Sequence, residues 1–175
     1  MAPIIRLAGP GDVEGAGVIC SRVLSGKLPY QYELNIGLEG CLNLVAEEEG
    51  RVIGYVSVLL RRWNPRGRNL WERVAPYLAF IGVIPERQSR GVGELLLRAA
   101  IRETVLRCPN EPQLFLEHAP DNRAARLYAR VGFRTMSRDE VFRLTGLDVK
   151  GPVLCLGLHA EGAGAPVRPP CPASD

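Results

Sequence analysis

A short segment rich in glycine and arginine has the composition of a phosphate-binding loop. It lies between an apolar run and an amphipathic run, and reads Ile84-Pro85-Glu86-Arg87-Gln88-Ser89-Arg90-Gly91-Val92-Gly93. Unpaired N–H groups and aligned peptide dipoles at a helix start favour an anion. Gly91 and Gly93 have no Cβ to hold a ligand away, and Arg87 and Arg90 can add charge-assisted contacts. The spacing fits neither a Rossmann nor a Walker A loop, and an ordinary strand-to-helix turn is the alternative.

The flanking segments predict an α/β fold in which helices cover both faces of one mixed, mostly antiparallel sheet. Tyr77–Ile84 is a nearly continuous apolar run, typical of a strand buried on both faces. Glu94–Arg107 has helical spacing, and Asp12 is expected to cap an earlier helix. We expect one domain over residues 1–159 and a disordered Gly/Ala/Pro-rich tail over 160–175. Further strands are predicted at 3–7, 42–46, 51–60, 113–117, 140–144 and 153–158, and further helices at 13–23 and 123–130.

Two motifs together resemble the signatures of the GNAT acetyltransferase superfamily. Gln88-x-x-Gly91-x-Gly93 is similar to the family's acetyl-CoA pyrophosphate signature, and residues 121–133 are similar to its Asn-x-x-Ala-x-x-x-Tyr-x-x-x-Gly-Phe segment. The resemblance covers residues 3–158 and implies the GNAT fold with acetyl-CoA as cosubstrate. The cofactor-binding residues that it implies are Ile81, Val83, Gln88, Ser89, Arg90, Gly91, Val92, Gly93, Glu94, Asp121, Asn122 and Tyr128.

The second motif departs from the family pattern at its first position. Counting back from Tyr128, Ala124 matches the family alanine, and the asparagine position falls on Asp121, with Asn122 one place later. Either the loop is one residue shorter than in the family, or Asp121 takes the role of the asparagine.

Other segments resemble N-terminal acetyltransferases within the superfamily. Leu28-Pro29-Tyr30-Gln31-Tyr32 resembles the Phe-Pro-x-x-Tyr loop with which NatE- and NatF-type enzymes receive a peptide N-terminus. Tyr77–Val83 resembles their Tyr-Ile-x-x-Leu-Gly-Val strand, whose tyrosine assists catalysis. Glu117 falls at the place of their histidine base, where ribosomal-protein alanine acetyltransferases carry a glutamate. Glu140–Arg143 replaces the NatF-type tyrosine cluster. The substrate contacts implied are Leu28, Pro29, Tyr32 and Phe142.

The implied reaction, attack of a neutral amine on an acetyl thioester, needs a proton acceptor for the amine and a proton donor for the leaving thiolate. Tyr77 and Glu117, acting through a water, are the predicted base, and the phenol of Tyr128 is the predicted acid. His118 should point to the opposite sheet face from Glu117. The structural alternatives are a core aromatic for Tyr77, a packing residue for Tyr128 and a solvent-facing carboxylate for Glu117.

Composition limits the classes of function. The chain has 175 residues, a net charge of +3, 46% hydrophobic and 23% charged residues, as expected for one globular domain. No apolar run reaches about 18 residues, so we expect no membrane span, and the N-terminal sequence lacks a signal-peptide pattern, which predicts a cytoplasmic protein. Five widely spaced cysteines and two histidines predict free thiols and no metal site.

The basic residues are almost all arginines, since only Lys27 and Lys150 are lysines. The segment Arg61–Arg73 is either a solvated connection or an electropositive lip for an acidic substrate or ribosomal RNA, with Trp63 or Trp71 as a stacking surface. A charge of +3 is too small to indicate nucleic-acid binding by itself. Ribosome contact is therefore expected only through this segment.

Together these features favour an acetyl-CoA-dependent N-acetyltransferase that acts on the α-amino group of a protein N-terminus. One alternative is acetylation of a small amine such as a polyamine, an amino acid or an aminoglycoside, which needs a closed, acidic pocket. The other is a catalytically silent acyl-CoA-binding module, which would tolerate loss of the chemistry of Tyr77, Glu117 and Tyr128.

Overall fold

The computed structural model describes residues 2–23 and 35–158, and a seven-stranded sheet runs through these ranges. Its strand order is β1-β2-β3-β4-β5-β7-β6. Neighbouring strands are antiparallel except β4 and β5, which are parallel. This confirms the predicted mixed, mostly antiparallel sheet. The strands are β1 (Ile4–Leu7), β2 (Cys41–Glu48), β3 (Arg51–Leu59), β4 (Tyr77–Val83), β5 (Gln113–Glu117), β6 (Arg134–Thr135) and β7 (Val153–Gly157).

Helices cover both faces of the sheet, as predicted. Leu44 and Ala46 pack into the core beneath α3, whereas Val45, between them on β2, packs beneath α1. Because successive strand residues point to opposite faces, α1 and α3 lie on opposite sides. Short 3₁₀ turns at Pro10–Asp12 and Pro85–Arg87 precede these two helices. The α-helices are α1 (Val13–Val23), α2 (Leu70–Arg73), α3 (Val92–Arg107), α4 (Ala125–Val131) and α5 (Arg138–Thr145).

A further apolar cluster forms on the α1 face, at the other end of β3. Leu59 belongs to it and lies on the same face as Tyr55, four residues earlier in the strand. Tyr77 and Phe115 join it from β4 and β5, and Val141 joins it from α5. Tyr77 in this cluster also lines the cavity of the candidate site.

The strand predicted at 140–144 is wrong, because this segment is part of helix α5. Ser137 and Glu140 form a capping box: the Glu140 N–H donates to Ser137 Oγ at 3.2 Å, and the Ser137 N–H donates to Glu140 Oε2 at 2.8 Å. Val141, Leu144 and Thr145 then form the inward side of the helix, at the spacing of three and four that helices require.

Asp12 does not cap α1 as predicted, but closes the turn before it. Its carboxylate accepts hydrogen bonds at 2.8 Å from both terminal nitrogens of Arg6 and from the Gly9 N–H. The hydrogen bonds from Arg6 are the main cause of the lowered pKa of Asp12. Arg6 also pairs with Glu47 at 2.7 Å, so it joins β1, β2 and the start of α1.

Some predictions fall outside the described residues, namely Leu28, Pro29, Tyr32 and the tail over 160–175. Within the described ranges, no helix is both long enough and apolar enough to cross a bilayer. The four cysteines in those ranges, Cys20, Cys41, Cys108 and Cys155, are free thiols, as expected.

Helix α3 approaches β3 most tightly at Gly54, which gives a test of this packing. A Cβ there would lie 2.7 Å from Leu96 Cδ1 and 3.3 Å from the Gly82 carbonyl oxygen. Because Leu96 is fully buried, it has little room to move. We expect Gly54→Ala to lower the free energy of unfolding by about 1–3 kcal/mol in chemical denaturation. In the control Gly11→Ala, whose Cβ meets nothing within 4 Å, the loss should be smaller; equal losses would contradict this packing argument.

Candidate active site

The parallel strands β4 and β5 pair only at one point, where the first residue of β4 meets the middle of β5. Their ladder consists of Tyr77 opposite Phe115, extended by a hydrogen bond of 3.0 Å from the Phe115 N–H to the Pro76 carbonyl. After this point the two strands have no ladder pairing with each other. A wedge therefore opens between their carboxyl-terminal halves and exposes backbone groups along one edge of β4.

The direction of the backbone on β4 shows which residues face this wedge. The Ile84 N–H donates to the Ile53 carbonyl on β3 at 2.9 Å, so the Val83 carbonyl, on the same peptide, points away from β3. Gln88 Nε2 donates to that carbonyl at 2.9 Å. Because the direction alternates along a strand, Ile81 also presents its backbone to the wedge. Ile81 and Val83 therefore both face the wedge, and their contacts with the cofactor stay a prediction.

The predicted phosphate loop lies at the start of α3, next to this end of β4. Gly91 is the N-cap, with a left-handed φ of 83°, and Ser89 has a φ of 60°. The first helical bond runs from the Leu95 N–H to the Gly91 carbonyl at 3.0 Å. The amides of Val92, Gly93 and Glu94 precede this bond and lack an intrahelical acceptor. A Cβ at Gly91 would meet nothing within 4 Å, so the loop leaves open space beside these amides.

The charged side chains around the loop differ in whether they have an ion-pair partner. Arg87 Nε pairs with Glu48 Oε2 at 2.5 Å, which directs this guanidinium to the end of β2. Arg90 is exposed and has no ion pair among the described residues. Glu94 is paired with Arg98 at 2.9 Å and with Arg130 at 3.6 Å, and the hydrogen bond from Arg98 is the largest cause of its lowered pKa. Arg90 is therefore the better placed of the two predicted arginine contacts.

A cavity of about 470 Å³ lies beside the start of β4 and the end of β5, and both Tyr77 and Glu117 line it. The pairing of Tyr77 with Phe115 brings the two strands together, and Glu117 follows Phe115 by two residues on the same face. Tyr77 is buried at 5% exposure, whereas Glu117 is exposed to the cavity. The predicted base residues thus share one cavity. Its remaining walls come from residues 68–71, 118–120, 147–149 and 151.

The carboxyl group of Glu117 is tuned by its surroundings. The adjacent protein partly displaces water, and this desolvation raises the pKa of Glu117 above its ordinary value. Gly151 leaves room for the carboxylate, because a Cβ there would lie 3.2 Å from Glu117 Oε1. A raised carboxyl pKa makes a stronger base, so this environment suits proton transfer.

Tyr128 lies on the other face of the sheet and does not line the cavity. It is buried at 5% exposure. Its ring centroid is 5.9 Å from that of His118, and it meets Phe133 edge-to-face at 5.9 Å. The contact with Tyr128 places the His118 ring on the face opposite Glu117, as strand alternation predicts. His118 also borders the cavity, so the residue whose ring contacts Tyr128 also reaches the space that Glu117 lines.

Asn122 and Asp121 have different surroundings at the start of the second motif. Asn122 Oδ1 accepts a hydrogen bond of 2.9 Å from the Ala124 N–H, which fixes the turn into α4. Asp121 is exposed. Asn122 therefore has a structural role in the turn, and the cofactor contact of either residue stays a prediction.

Phe142, a predicted substrate contact, is 58% exposed on α5 and does not line the cavity. Its contact with substrate stays a prediction. Asp148 and Gly151 in the cavity wall lie in a connection with no recognisable sequence motif, and no sequence pattern predicts them. The arginine-rich segment is predicted as either a solvated connection or a lip, and its Arg68, Asn69 and Trp71 line the cavity.

The described geometry agrees with comparisons to known proteins. Residues 39–135 match the family model for an acetyltransferase (GNAT) domain. The fold is similar to the ribosomal-protein-S18-alanine N-acetyltransferase from Escherichia coli (TM-score 0.66, 22% identity, 94% of this chain and 99% of that chain). It is also similar to yncA from Salmonella typhimurium with its cofactor acetyl-CoA (TM-score 0.64, 21% identity, 94% of this chain and 99% of that chain). A third similar structure is nourseothricin acetyltransferase (TM-score 0.60, 22% identity, 90% of this chain and 99% of that chain). No curated protein matches the sequence.

The chain belongs to the GNAT acetyltransferase family, since the family model covers more than half of it. It is an acetyl-CoA-dependent N-acetyltransferase. Acetyl-CoA supplies the acetyl group as a thioester. The wedge beside Ile81 and Val83, together with the open helix start at Gly91, fits an extended ligand whose chain leads to a pyrophosphate.

The glycine at the helix start gives a test of the cofactor site. Gly91 and Gly50 both have a positive φ, 83° and 75°, and a Cβ at either would meet no protein atom within 4 Å. Alanine should therefore strain the backbone similarly at both, lowering the free energy of unfolding by about 1 kcal/mol. Only Gly91→Ala should weaken acetyl-CoA binding, by about tenfold, in isothermal titration calorimetry. Equal affinities for the two variants would place the phosphates elsewhere.

Proposed function

We propose that the protein acetylates the α-amino group of a protein N-terminus, with Glu117 as the base. The observation that carries this proposal is the cavity in which Glu117 lies beside Tyr77 under an arginine-bearing rim. The amine to be acetylated would enter this cavity, and Glu117 would accept its proton directly or through a water held with Tyr77.

The strength of this base suits an α-amine better than a lysine side chain. An α-amine, with a pKa of about 7.7–8.0, is about one-tenth neutral at pH 7, whereas a lysine amine is neutral about once in 2,500 molecules. A carboxylate, even with a raised pKa, is a modest base. Glu117 can complete deprotonation of an amine that is already partly neutral, so the proposal favours an N-terminal substrate.

The charges on the cavity wall disfavour polycationic small substrates. The charged lining consists of Glu117, Asp148 and Arg68, and Asp148 is paired with Arg138 at 3.2 Å. Glu117 is thus the one carboxylate of the lining without an ion pair among the described residues. A polyamine or an aminoglycoside would bring several positive charges to a wall that neutralises few of them, whereas an N-terminus brings one.

The fold alone does not choose the substrate. Similar structures carry names as different as ribosomal-protein-S18-alanine N-acetyltransferase and nourseothricin acetyltransferase. The likeness of Leu28, Pro29 and Tyr32 to a peptide-receiving loop adds support for a protein N-terminus. These three residues lie outside the described ranges, and their contacts with the peptide are part of the proposal, as is the cytoplasmic location.

Tyr128 is the proposed acid for the thiolate that leaves. Its phenol is protonated at neutral pH, and its buried position against His118 holds the ring beside the strand that carries Glu117. In this scheme the amine is deprotonated on one face of β5, and the leaving group is protonated from the other. The amine and the thioester would therefore meet in the wedge that opens beyond Tyr77 and Phe115.

Replacing Glu117 tests the base. We expect Glu117→Gln to lower kcat by about 100-fold with little change in the KM for acetyl-CoA. The wild-type kcat should fall as the pH drops through the raised pKa of Glu117, and this acid limb should be absent from the variant. Because a raised carboxyl pKa favours folding only below that pKa, Glu117→Gln should be at least as stable as the wild type at pH 7.

The control for this variant is Glu103→Gln on α3, which removes a carboxylate that pairs with Arg107 at 3.4 Å. Its kcat and pH profile should match those of the wild type. An unchanged acid limb in Glu117→Gln would exclude Glu117 as the base.

A substrate panel tests the proposed acceptor. Acetyl-CoA turnover would be measured on peptides with free N-termini, on matched N-blocked peptides with one lysine, and on polyamines, amino acids and aminoglycosides. We expect the free N-termini to exceed the lysine peptides by at least about tenfold in kcat/KM, in line with the difference in neutral amine. Turnover of the small amines alone would exclude the N-terminal proposal. Tight acetyl-CoA binding without any turnover would indicate a silent binding module.

A further inference from the structure

The connection between β3 and β4 carries a local excess of positive charge. Residues 61–73 contain five arginines and a single acidic residue, Glu72. Two of the arginines have partners: Arg61 pairs with Glu39 at 3.5 Å, and Arg73 donates to the carbonyls of Gly67 and Thr145. The side chains of the other three are exposed and have no hydrogen bond or ion pair among the described residues. These three are Arg62, Arg66 and Arg68.

Arg68 differs from the other two because it lines the cavity that contains Glu117. It is the one Lys or Arg side chain among the described lining residues. A cation in this position faces the same space as the predicted base, so the lining of the cavity carries charges of both signs.

The backbone on both sides of Arg68 is held in place. Glu72 Oε2 accepts hydrogen bonds from the Asn69 N–H at 2.9 Å and from Asn69 Nδ2 at 3.0 Å, which closes the first turn of α2. Gly67 is buried against Glu72, where a Cβ would lie 2.5 Å from the Glu72 carboxyl carbon. The only acidic residue of the segment is therefore engaged in positioning Arg68, and it does not neutralise that arginine.

We propose that Arg68 binds an acidic side chain of the acceptor, so that the enzyme prefers protein N-termini with Asp or Glu among their first residues. This inference rests on the proposed N-terminal function. The guanidinium has five donors in a planar fork that matches a carboxylate. With the amine at Glu117 and the acidic side chain at Arg68, the acceptor would lie across the cavity in one orientation.

An acidic peptide fits these observations better than RNA does. Arg68 shares its cavity with the residue that would contact the amine, so its partner belongs to the same molecule as that amine. Nucleic-acid affinity depends on many phosphate contacts over an extended surface, whereas one arginine inside a cavity acts on a single group.

The test uses three peptides that differ at one position among the first three residues, carrying Glu, Gln or Lys. The wild type should have a KM for the Glu peptide lower than that for the Gln peptide by at least about fivefold. This difference should shrink when the ionic strength rises from about 0.05 M to about 0.5 M, because the pair is partly exposed. Arg68→Gln should remove the preference, and Arg68→Glu should shift it to the Lys peptide.

The matched control is Arg66→Gln, which removes a charge from the same segment without touching the cavity lining. It should keep the preference of the wild type. All variants should retain the wild-type KM for acetyl-CoA and the wild-type denaturation midpoint, since Arg66 and Arg68 are exposed.

The outcomes separate this inference from the function on which it rests. If the wild type acetylates free N-termini but treats the Glu and Gln peptides alike, the role of Arg68 is excluded and the N-terminal function stands. If no N-terminus is acetylated, the proposed function is wrong, and the inference about Arg68 is wrong as well. If Arg66→Gln and Arg68→Gln leave the peptide preference unchanged but weaken binding to a single-stranded RNA, the segment is a nucleic-acid surface and the proposal is overturned.

Discussion

The arrangement of the site depends on one constraint, the single ladder pair between two parallel strands. Tyr77 and Phe115 hold β4 and β5 together at one end, and beyond them the strands part. A full ladder would satisfy the backbone of β4 and leave no edge for a ligand. No pairing at all would separate Tyr77 from Glu117. One pair gives both results, because it brings Tyr77 into the cavity that Glu117 lines and leaves the later part of the β4 edge without a ladder partner on β5.

A bulge in β4 also determines which residues of this strand face the cavity and which face the wedge. In its pairing with β3, Ser57 lies opposite Phe80 and Val58 lies opposite Leu78, so Ala79 is the extra residue. Tyr77 and Phe80 consequently face the same side of the sheet although they are three residues apart. The extra residue shifts the alternation of side chains along β4 by one position. Tyr77 lines the cavity, and residues after the bulge present their backbone to the wedge.

The parts of this arrangement that the sequence predicts are those encoded locally. The apolar run of β4, the helical spacing of α3 and the glycine at position 91 are each recognisable from neighbouring residues. Glu117 is predicted from the family resemblance, and strand alternation predicts only that His118 faces the other side of the sheet. The wall formed by Asp148 and Gly151 is not visible in the sequence, because β7 brings it to β5 through contacts far apart in the chain. The strand predicted at 140–144 rests on a short apolar-containing run, whereas the capping box that begins at Ser137 is the local signal that starts a helix there.

The net charge of +3 hides how the arginines are used. Several of them brace separate elements, and a planar guanidinium suits this because it can bind two carboxylates at once, as Arg6 does with Asp12 and Glu47. A lysine has no such fork. Once the arginines with partners are set aside, Arg90 beside the helix start and Arg68 in the cavity lining are among those that stay exposed without an ion pair in the described ranges. The positive charge is therefore distributed locally, with one such arginine at the start of α3 and another in the cavity that Glu117 lines, and the sum of +3 does not show this distribution.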